Sequence, residues 1–456
     1  MNFYNLYRVT VFLLGLTSTL IIFKFDIGIG SVYFFDLFFY LLIAISILYL
    51  FKKKKLIYKQ IKNINFKISI NMYILFLVIT IFSVLIPVFD NANFMWIFTA
   101  FKSVINKWIP TLILVIMLQF MDKNYNLHFY KNFINGFIVS IFIHAIWSII
   151  GLILWFGYNI SLNYVMLEKL KLDVGHSAYS LAYPGILRMS GLHWDPAWYG
   201  IWAPIAFFWI QLFIEKTINK FIFSIIILLP WIFTFSRTGA FSFGFVIVLY
   251  LSYKLFSLIS LNFIIKKRKI FKSIKIIIIC SFLVIIVIST IMLSYSEIIT
   301  GILESRTNLE ASGTSRHFNY LTKGYKVLGI GGIHNFLLGF GYRNAGRGLI
   351  SDEYLRKEIL VSDDFGQNKI WDPESDWARI LIGLGIIGFL LFILYNIFMV
   401  RSSLILIKYK VLVKYNYFYL FSILLIFTAG LFYSYSDDRW YHLILVSYVS
   451  LLNTQK

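Results

Sequence analysis

Apolar residues along this chain come in long blocks, separated by short polar interruptions. Runs of roughly 18 or more recur from one end to the other, and each is long enough to cross a hydrocarbon core of about 30 Å as a helix. Lipid offers backbone groups no hydrogen-bond partners, so such runs must be helical; a barrel would show short alternating strands instead. The pattern predicts helices near 5–23, 31–51, 69–89, 94–121, 132–158, 197–214, 221–235, 240–260, 276–295, 378–400, 416–434 and 440–453. The fold class expected is therefore an all-α polytopic integral membrane protein with about twelve transmembrane helices, one membrane domain over 1–456. Most connections are a few residues long. Two are not, 159–196 and 296–377, and only the second has room for a small subdomain between the ninth and tenth helices. The first apolar run is read as a membrane helix and not as a signal peptide, because no alanine precedes Ala44 and no small-residue cleavage site follows the run.

Composition agrees with this reading, and charge refines it. Of 456 residues, 59% are hydrophobic and 14% charged, an apolar share above that of soluble domains. The net charge of +21 invites a nucleic-acid partner, until the charges are located. If the lysine-rich loops "KKKKLIYKQIKNINFK" (52–67) and "KKRKIFKSIK" (266–275) face the cytoplasm, alternate loops fall on alternate sides. The inner side then holds 24 of the 42 Lys and Arg with two acids, Asp122 and Glu215, and the outer side holds 18 with 19 acids, giving +22 and −1. The excess is a topology signal that excludes nucleic acid and places both termini in the cytoplasm. The single cysteine, Cys280, lies inside an apolar run, so no intrachain disulfide can form.

Outside the lysine loops, every dense polar cluster falls on the outer face. "LRMSGLHWDPAWYGIW" (187–202) puts Arg188, His193 and Asp195 at the mouth of the sixth helix. "FTFSRTGAF" (233–241) turns the chain between helices seven and eight and presents Arg237. The long loop carries Arg316, His334 and Arg343, with Glu374 and Asp376 opening helix ten and Asp437, Asp438 and Arg439 joining the last two helices. Within that loop, 313–328 has helical apolar spacing suited to the membrane surface. The membrane interior, by contrast, holds few ionisable groups, His144 being the clearest, where a pump or transporter needs a path of them. Guanidinium forks bind phosphate bidentately and stay charged, so arginines at headgroup depth suit a lipid-linked diphosphate. Carboxylates beside them are placed to take a proton from an attacking sugar hydroxyl.

Three segments carry a resemblance to a known family. "RMSGLHWDPAWYG" looks like an Arg-x-x-Gly block ending in Asp-Pro, and "SRTGAF" like a Ser-Arg-x-Gly turn. "HNFLLGFGYRNAG" followed by "ESDWARILIGLGIIG" looks like a Gly-x-Gly loop and a closing Leu-x-x-x-Gly-x-x-Gly block. Over roughly 185–390 the chain resembles the bacterial O-antigen polymerase and O-antigen ligase superfamily, membrane glycosyltransferases of the C type. The resemblance implies an inverting glycosyl transfer with no metal or other cofactor, in the bacterial cytoplasmic (inner) membrane with the site on its outer face. Its partners would be undecaprenyl-diphosphate-linked donor and acceptor glycans, membrane lipid and a chain-length regulator protein. Arg188, Arg237, Arg316 and Arg343 would hold diphosphate, Glu374 and Asp195 would share the base role, and His193, His334 and Asp376 would position substrate. Glu374 stands where the ligases carry a histidine, which favours a polymerase of O-antigen or capsule over a ligase. An exporter of the same lipid-linked glycan is the alternative from another class.

Plainer readings stand beside these. Arg188 and Arg237 have the character of snorkelling interfacial cations. Asp195-Pro196 makes a good helix start, with Asp as N-cap and Pro first, and Asp372-Pro373 offers the same device before helix ten. Asp372, Glu374 and Asp376 alternate as hard oxygen ligands would for a divalent ion. "GIGGIHNF" lacks the Lys-Ser/Thr of a phosphate loop. His144, one turn from Trp147, reads as a satisfied interhelical hydrogen bond.

Overall fold

Long apolar runs give helices wherever the sequence pattern places them in the described part of the chain. A computed structural model describes residues 3–20, 24–26, 31–53, 63–90, 94–170, 181–183, 186–193, 195–236, 238–249, 324, 326–329, 332–342, 344–349, 360–362, 368–370, 375–431, 433 and 439–455. Its helices are α1 (Phe3–Thr17), α2 (Phe34–Lys52), α3 (Ile64–Phe82), α4 (Ile86–Phe89), α5 (Phe94–Ser103), α6 (Ile109–Phe120), α7 (Lys123–Tyr158), α8 (Leu162–Leu170), α9 (Pro196–Phe213) and α10 (Thr217–Ile232). They continue with α11 (Thr238–Leu249), α12 (Ile333–Leu338), α13 (Ala345–Leu349), α14 (Asp376–Lys408), α15 (Val413–Ala429) and α16 (Arg439–Asn453). Among the described residues three two-stranded antiparallel hairpins, 24–26 with 31–33, 181–183 with 186–187 and 360–362 with 368–370, accompany the helices. The expected helix at 276–295 and most of the loop at 296–377 lie outside the described residues.

Among the described residues, five helical stretches are long and apolar enough to cross a bilayer: Phe34–Lys52, Ile64–Phe89, Ala100–Phe120, Lys123–Tyr158 and Asp376–Lys408. Their ends differ from the sequence pattern for local reasons. The third expected helix starts five residues early, at Ile64, because the Asn63 side chain caps it, accepting from the Asn65 N–H at 2.9 Å. The run at 94–121 is interrupted by a π-helical turn at 104–108 just before Pro110, whose missing N–H disturbs the regular ladder. At 36 residues α7 is roughly 54 Å long and begins nine residues before the apolar run predicted at 132.

Helix contacts separate two ends of the bundle. At one end Asp122 takes Lys53 Nζ at 2.6 Å and the Tyr49 hydroxyl, and Lys414 faces Glu215 at 3.7 Å. Ser69 and Ser402 hydroxyls meet near the same end at 2.7 Å. This end, the basic end of the bundle, carries Lys52, Lys67, Lys123, Lys216 and Lys408. The far end gathers the start of α9, the α10–α11 turn, the start of α14 and the α15–α16 connection.

The core of the bundle is chiefly apolar, with buried polar groups threaded through it, and large apolar side chains are also exposed around its rim. From Trp440 to Thr454, every residue of α16 and the turn after it is buried. Its polar groups bond four neighbours: His442 Nδ1 to the Tyr73 hydroxyl at 3.0 Å, Ser447 from Tyr419 at 2.9 Å, Tyr448 from Ser403 at 2.7 Å, and Ser450 to the Asn126 carbonyl at 2.7 Å. Helices in lipid gain little from apolar contact with one another, so such bonds and close backbone approach hold them together. The closest approach is α1 on α7. A Cβ on Gly15 would lie 2.3 Å from the Phe133 carbonyl oxygen, and one on Gly136 would lie 2.1 Å from that of Phe12.

Candidate functional site

The far end is organised by the first turn of α9. Asp195 is its N-cap and Pro196 its first residue, as the sequence suggested: Oδ1 accepts the Ala197 N–H at 2.8 Å. The other carboxylate oxygen accepts the Tyr433 hydroxyl. Two residues earlier, His193 is fully buried between Trp198 and Trp202, with ring centroids 5.0 and 5.2 Å away, and its Nδ1 accepts the Asp195 N–H at 3.1 Å. Burial pushes this imidazole well below its ordinary pKa, so it is neutral with its proton on Nε2. His193 thus supports the loop from inside and presents no surface to a ligand.

The loop before it is pinned to α7. His144 Nδ1 accepts the Leu192 N–H at 2.9 Å and its Nε2 lies 3.2 Å from the Thr19 hydroxyl, so the interhelical bond expected of His144 is made, to a residue just past α1. Gly191, at φ +66, lies where a Cβ would stand 2.5 Å from His144 Nδ1.

Arg188 joins this loop to the α10–α11 turn. Its Nε donates to the Thr234 carbonyl at 3.0 Å, and the Met189 N–H donates to the Phe233 carbonyl at 2.9 Å. Further along the turn, Ser236 Oγ accepts the Gly239 N–H at 3.1 Å and opens α11. Gly239 itself packs on α9, where a Cβ would lie 2.3 Å from the Gly200 carbonyl oxygen. The Ser-Arg-x-Gly turn therefore packs through Gly239 on Gly200 in the first turns of α9. Arg237 lies between positions fixed in this contact but is itself outside the described residues, as are Arg316, Arg343 and Glu374.

The closing block arrives from the other side. α14 is capped by Ser375, whose Oγ accepts the Ala378 N–H at 3.4 Å, so the helix starts three residues after the Asp372-Pro373 pair expected to open it. Ser375 Oγ also donates to the Gly430 carbonyl at 3.2 Å. Asp376 is buried in the first turn, and its N–H donates to the Tyr433 carbonyl at 3.3 Å. Tyr433 therefore joins the Asp195 carboxylate, through its hydroxyl, to the backbone of the first residue of α14, through its own carbonyl. Nothing in the sequence marks this one tyrosine among 30. His334 is elsewhere: it is exposed on α12, 3.6 Å from Asp90 at the end of α4.

The two glycine motifs also meet each other. At Gly385 (φ +63, ψ −170) α14 is broken, which frees carbonyls from the helical ladder. The Gly339–Gly341 loop tucks between α4 and α14 and fills them: the Phe340 N–H donates to Ile382 O at 2.9 Å and the Gly341 N–H to Gly383 O at 2.8 Å. A Cβ at Gly339 would lie 2.5 Å from the backbone of Gly383 and Gly385, and one at Gly385 equally close to Gly339 and Leu337. Tyr342 then anchors the loop, its N–H donating to Ser83 Oγ at 3.2 Å and its ring meeting Trp108 edge-on at 5.1 Å. Irregular backbone at this depth is tolerated where protein satisfies it, as here.

Among the described residues no group of three His, Cys, Asp or Glu is arranged to hold a metal ion; Asp372 and Glu374 lie outside them. No protein-family model matches this chain and no curated protein matches it.

Proposed function

We propose that the chain is a surface-polysaccharide polymerase of the bacterial inner membrane, multi-pass, with its basic end and both termini in the cytoplasm and its site at the far end. The observation that carries this reading is the meeting, at that end, of three sequence segments that share the resemblance: Arg188 against the 233–239 turn, Asp195 at the head of α9, and the start of α14 held through Tyr433. The positive-inside tendency supports the orientation, since Lys52, Lys67, Lys123, Lys216 and Lys408 share the opposite end.

In the proposed reaction a growing glycan on undecaprenyl diphosphate is transferred to the terminal sugar hydroxyl of a lipid-linked repeat unit. The acceptor oxygen forms a bond to the anomeric carbon as the bond from that carbon to the diphosphate oxygen breaks, with inversion. Glu374 takes the hydroxyl proton, and the leaving lipid diphosphate keeps the electron pair. Its developing charge is held by Arg188 and Arg237 with Arg316 and Arg343, which stabilises the transition state more than the bound donor. Asp195, with one oxygen on the α9 N-terminus and the other on Tyr433, positions the wall of the pocket in this reading. Asp376 and His193 act as supports behind that wall, and His334 has no part in it.

Incubating the purified full chain in lipid with lipid-linked single repeats tests the reaction. A ladder of products is expected. No product until a separate acceptor is added identifies a ligase, and movement of the glycan across the bilayer without a change in length identifies an exporter. Glu374→Gln is expected to remove the ladder while lipid-substrate binding persists; an active Gln variant eliminates Glu374 as the base.

A further inference from the structure

α1 and α7 both start at the basic end and run side by side in the same direction. The Tyr4 ring meets Tyr125 and His128 edge-on at 5.4 and 5.0 Å, and further along Gly15 lies against the Phe133 backbone and Gly136 against that of Phe12. That register sets Arg8 of α1 level with the turn of α7 that holds His128 and Lys131. Arg8 and Lys131 both bring positive charge to the His128 ring. Arg8 is exposed and Lys131 half-buried, and neither forms a hydrogen bond or ion pair among the described residues.

A cation at the extreme end of a membrane helix is accounted for by water and by the positive-inside tendency. These two lie deeper. Lys131 is eight residues into α7, roughly 12 Å along its axis, and Val9, next to Arg8, is already apolar surface, 45% exposed. The outward stripe of α7 runs from His128 and Asn135 to Val139, Ile146 and Ile153. His128 and Ile146 are 18 residues apart, about five helical turns, so they share one face. Polar in its first turns and apolar beyond them, this face is built like the boundary between lipid headgroups and acyl chains. Charge then selects the headgroup. No acid occurs from residue 37 to 89, from 123 to 167 or in the lysine-rich segment 266–275. Asp122, at the head of α7, is taken by Lys53 and Tyr49. A zwitterionic lipid would bring its own cation to this cluster, whereas a net negative headgroup neutralises it.

We propose that the α1–α7 face at the basic end binds an anionic phospholipid, with Arg8 and Lys131 on its phosphate and its acyl chains along the apolar stripe of α7. The site needs the chain to lie in a bilayer but uses no residue of the far end and no glycosyl transfer, so it and the polymerase reading fail separately.

Titration of the full chain in neutral detergent with phosphatidylglycerol, phosphatidylethanolamine and glycerol phosphate, read by native mass spectrometry, tests it. Phosphatidylglycerol is expected to bind more tightly than the other two. Arg8→Gln with Lys131→Gln is expected to weaken that binding about tenfold, whereas Arg8→Lys with Lys131→Arg, which keeps both charges, should retain it. Lys67→Gln with Lys408→Gln removes the same charge from α3 and α14 at the same end and should leave the affinity unchanged. A loss there equal to that of the Arg8 and Lys131 pair reduces the site to diffuse attraction by the whole basic end and overturns it. Equal affinity for phosphatidylethanolamine overturns the anionic selectivity, and equal affinity for glycerol phosphate overturns the lipid. Unchanged affinity in Arg8→Gln with Lys131→Gln, or an equal loss in the charge-keeping pair, overturns the assignment of these two residues.

Discussion

The two ends of the bundle are built differently. At the basic end helices stop and turn with ordinary means: a Lys53–Asp122 pair, an Asn63 cap, an exposed Glu215–Lys414 contact. At the far end the backbone leaves regular geometry repeatedly. All five described glycines with positive φ, Gly191, Gly332, Gly339, Gly341 and Gly385, are there, against Lys410 and Leu412 at the basic end. Glycine takes such a φ at no steric cost and lets backbones meet, as Gly339 and Gly385 do, whereas Lys410 and Leu412 take it only in the short turn between α14 and α15. The contrast marks the far end as the one built on close backbone approach.

Breaking the far end has the largest expected effect. Arg237→Ala should abolish polymer in cells at a normal protein level, and Arg237→Lys should not restore it, because a point charge cannot reproduce the guanidinium fork. Glycan length distributions on gels check this, and a wild-type distribution in either variant removes Arg237 from the site. Next in size is the glycine seam. Gly339→Ala or Gly385→Ala puts a Cβ 2.5 Å from backbone at positive φ, and a loss of about 3 kcal/mol or more is expected, read as a large fall in melting temperature.

A smaller effect should follow acidification. His193 is neutral in the fold because burial lowers its pKa, so below its ordinary value of about 6.5 the unfolded chain binds the extra proton and stability falls with pH. Melting curves between pH 7.5 and 5 should show that fall, and His193→Gln should make it shallower. The smallest effects sharpen the comparison between ends. Asp195→Ala removes the α9 cap and should cost about 1 kcal/mol, while Lys414→Ala at the basic end should leave the melting temperature unmoved, since Glu215 is 88% exposed and the pair is solvent-screened.

Long apolar runs made the helices legible, because their physics is one-dimensional: length and the absence of charge suffice. Helix ends were less legible where a polar cap lies beyond the run, as with Asn63, or where polar residues continue the helix, as in the first nine residues of α7. At the candidate site, the Asp195-Pro196 start could be read directly because capping is a local rule. The interlock of 339–341 with 383–385 could not, since two glycine motifs on either side of a long loop carry no sign that they pair. The same holds for Tyr433, whose role depends on where two distant helices begin.

One consequence of the buried, polar α16 concerns assembly in the membrane. The Tyr73 hydroxyl on α3 is bonded by a histidine 369 residues further along the chain. At translation speeds of about 5–20 residues per second, α3 waits roughly 20–70 s for that partner to be synthesised. Ser403, Tyr419 and Asn126 wait for shorter times. Until then the inserted helices carry unmatched hydroxyls and amides facing a seam that lipid or a helper protein must occupy. Arrest of synthesis before residue 440 should therefore leave inserted helices that are targets for membrane quality control.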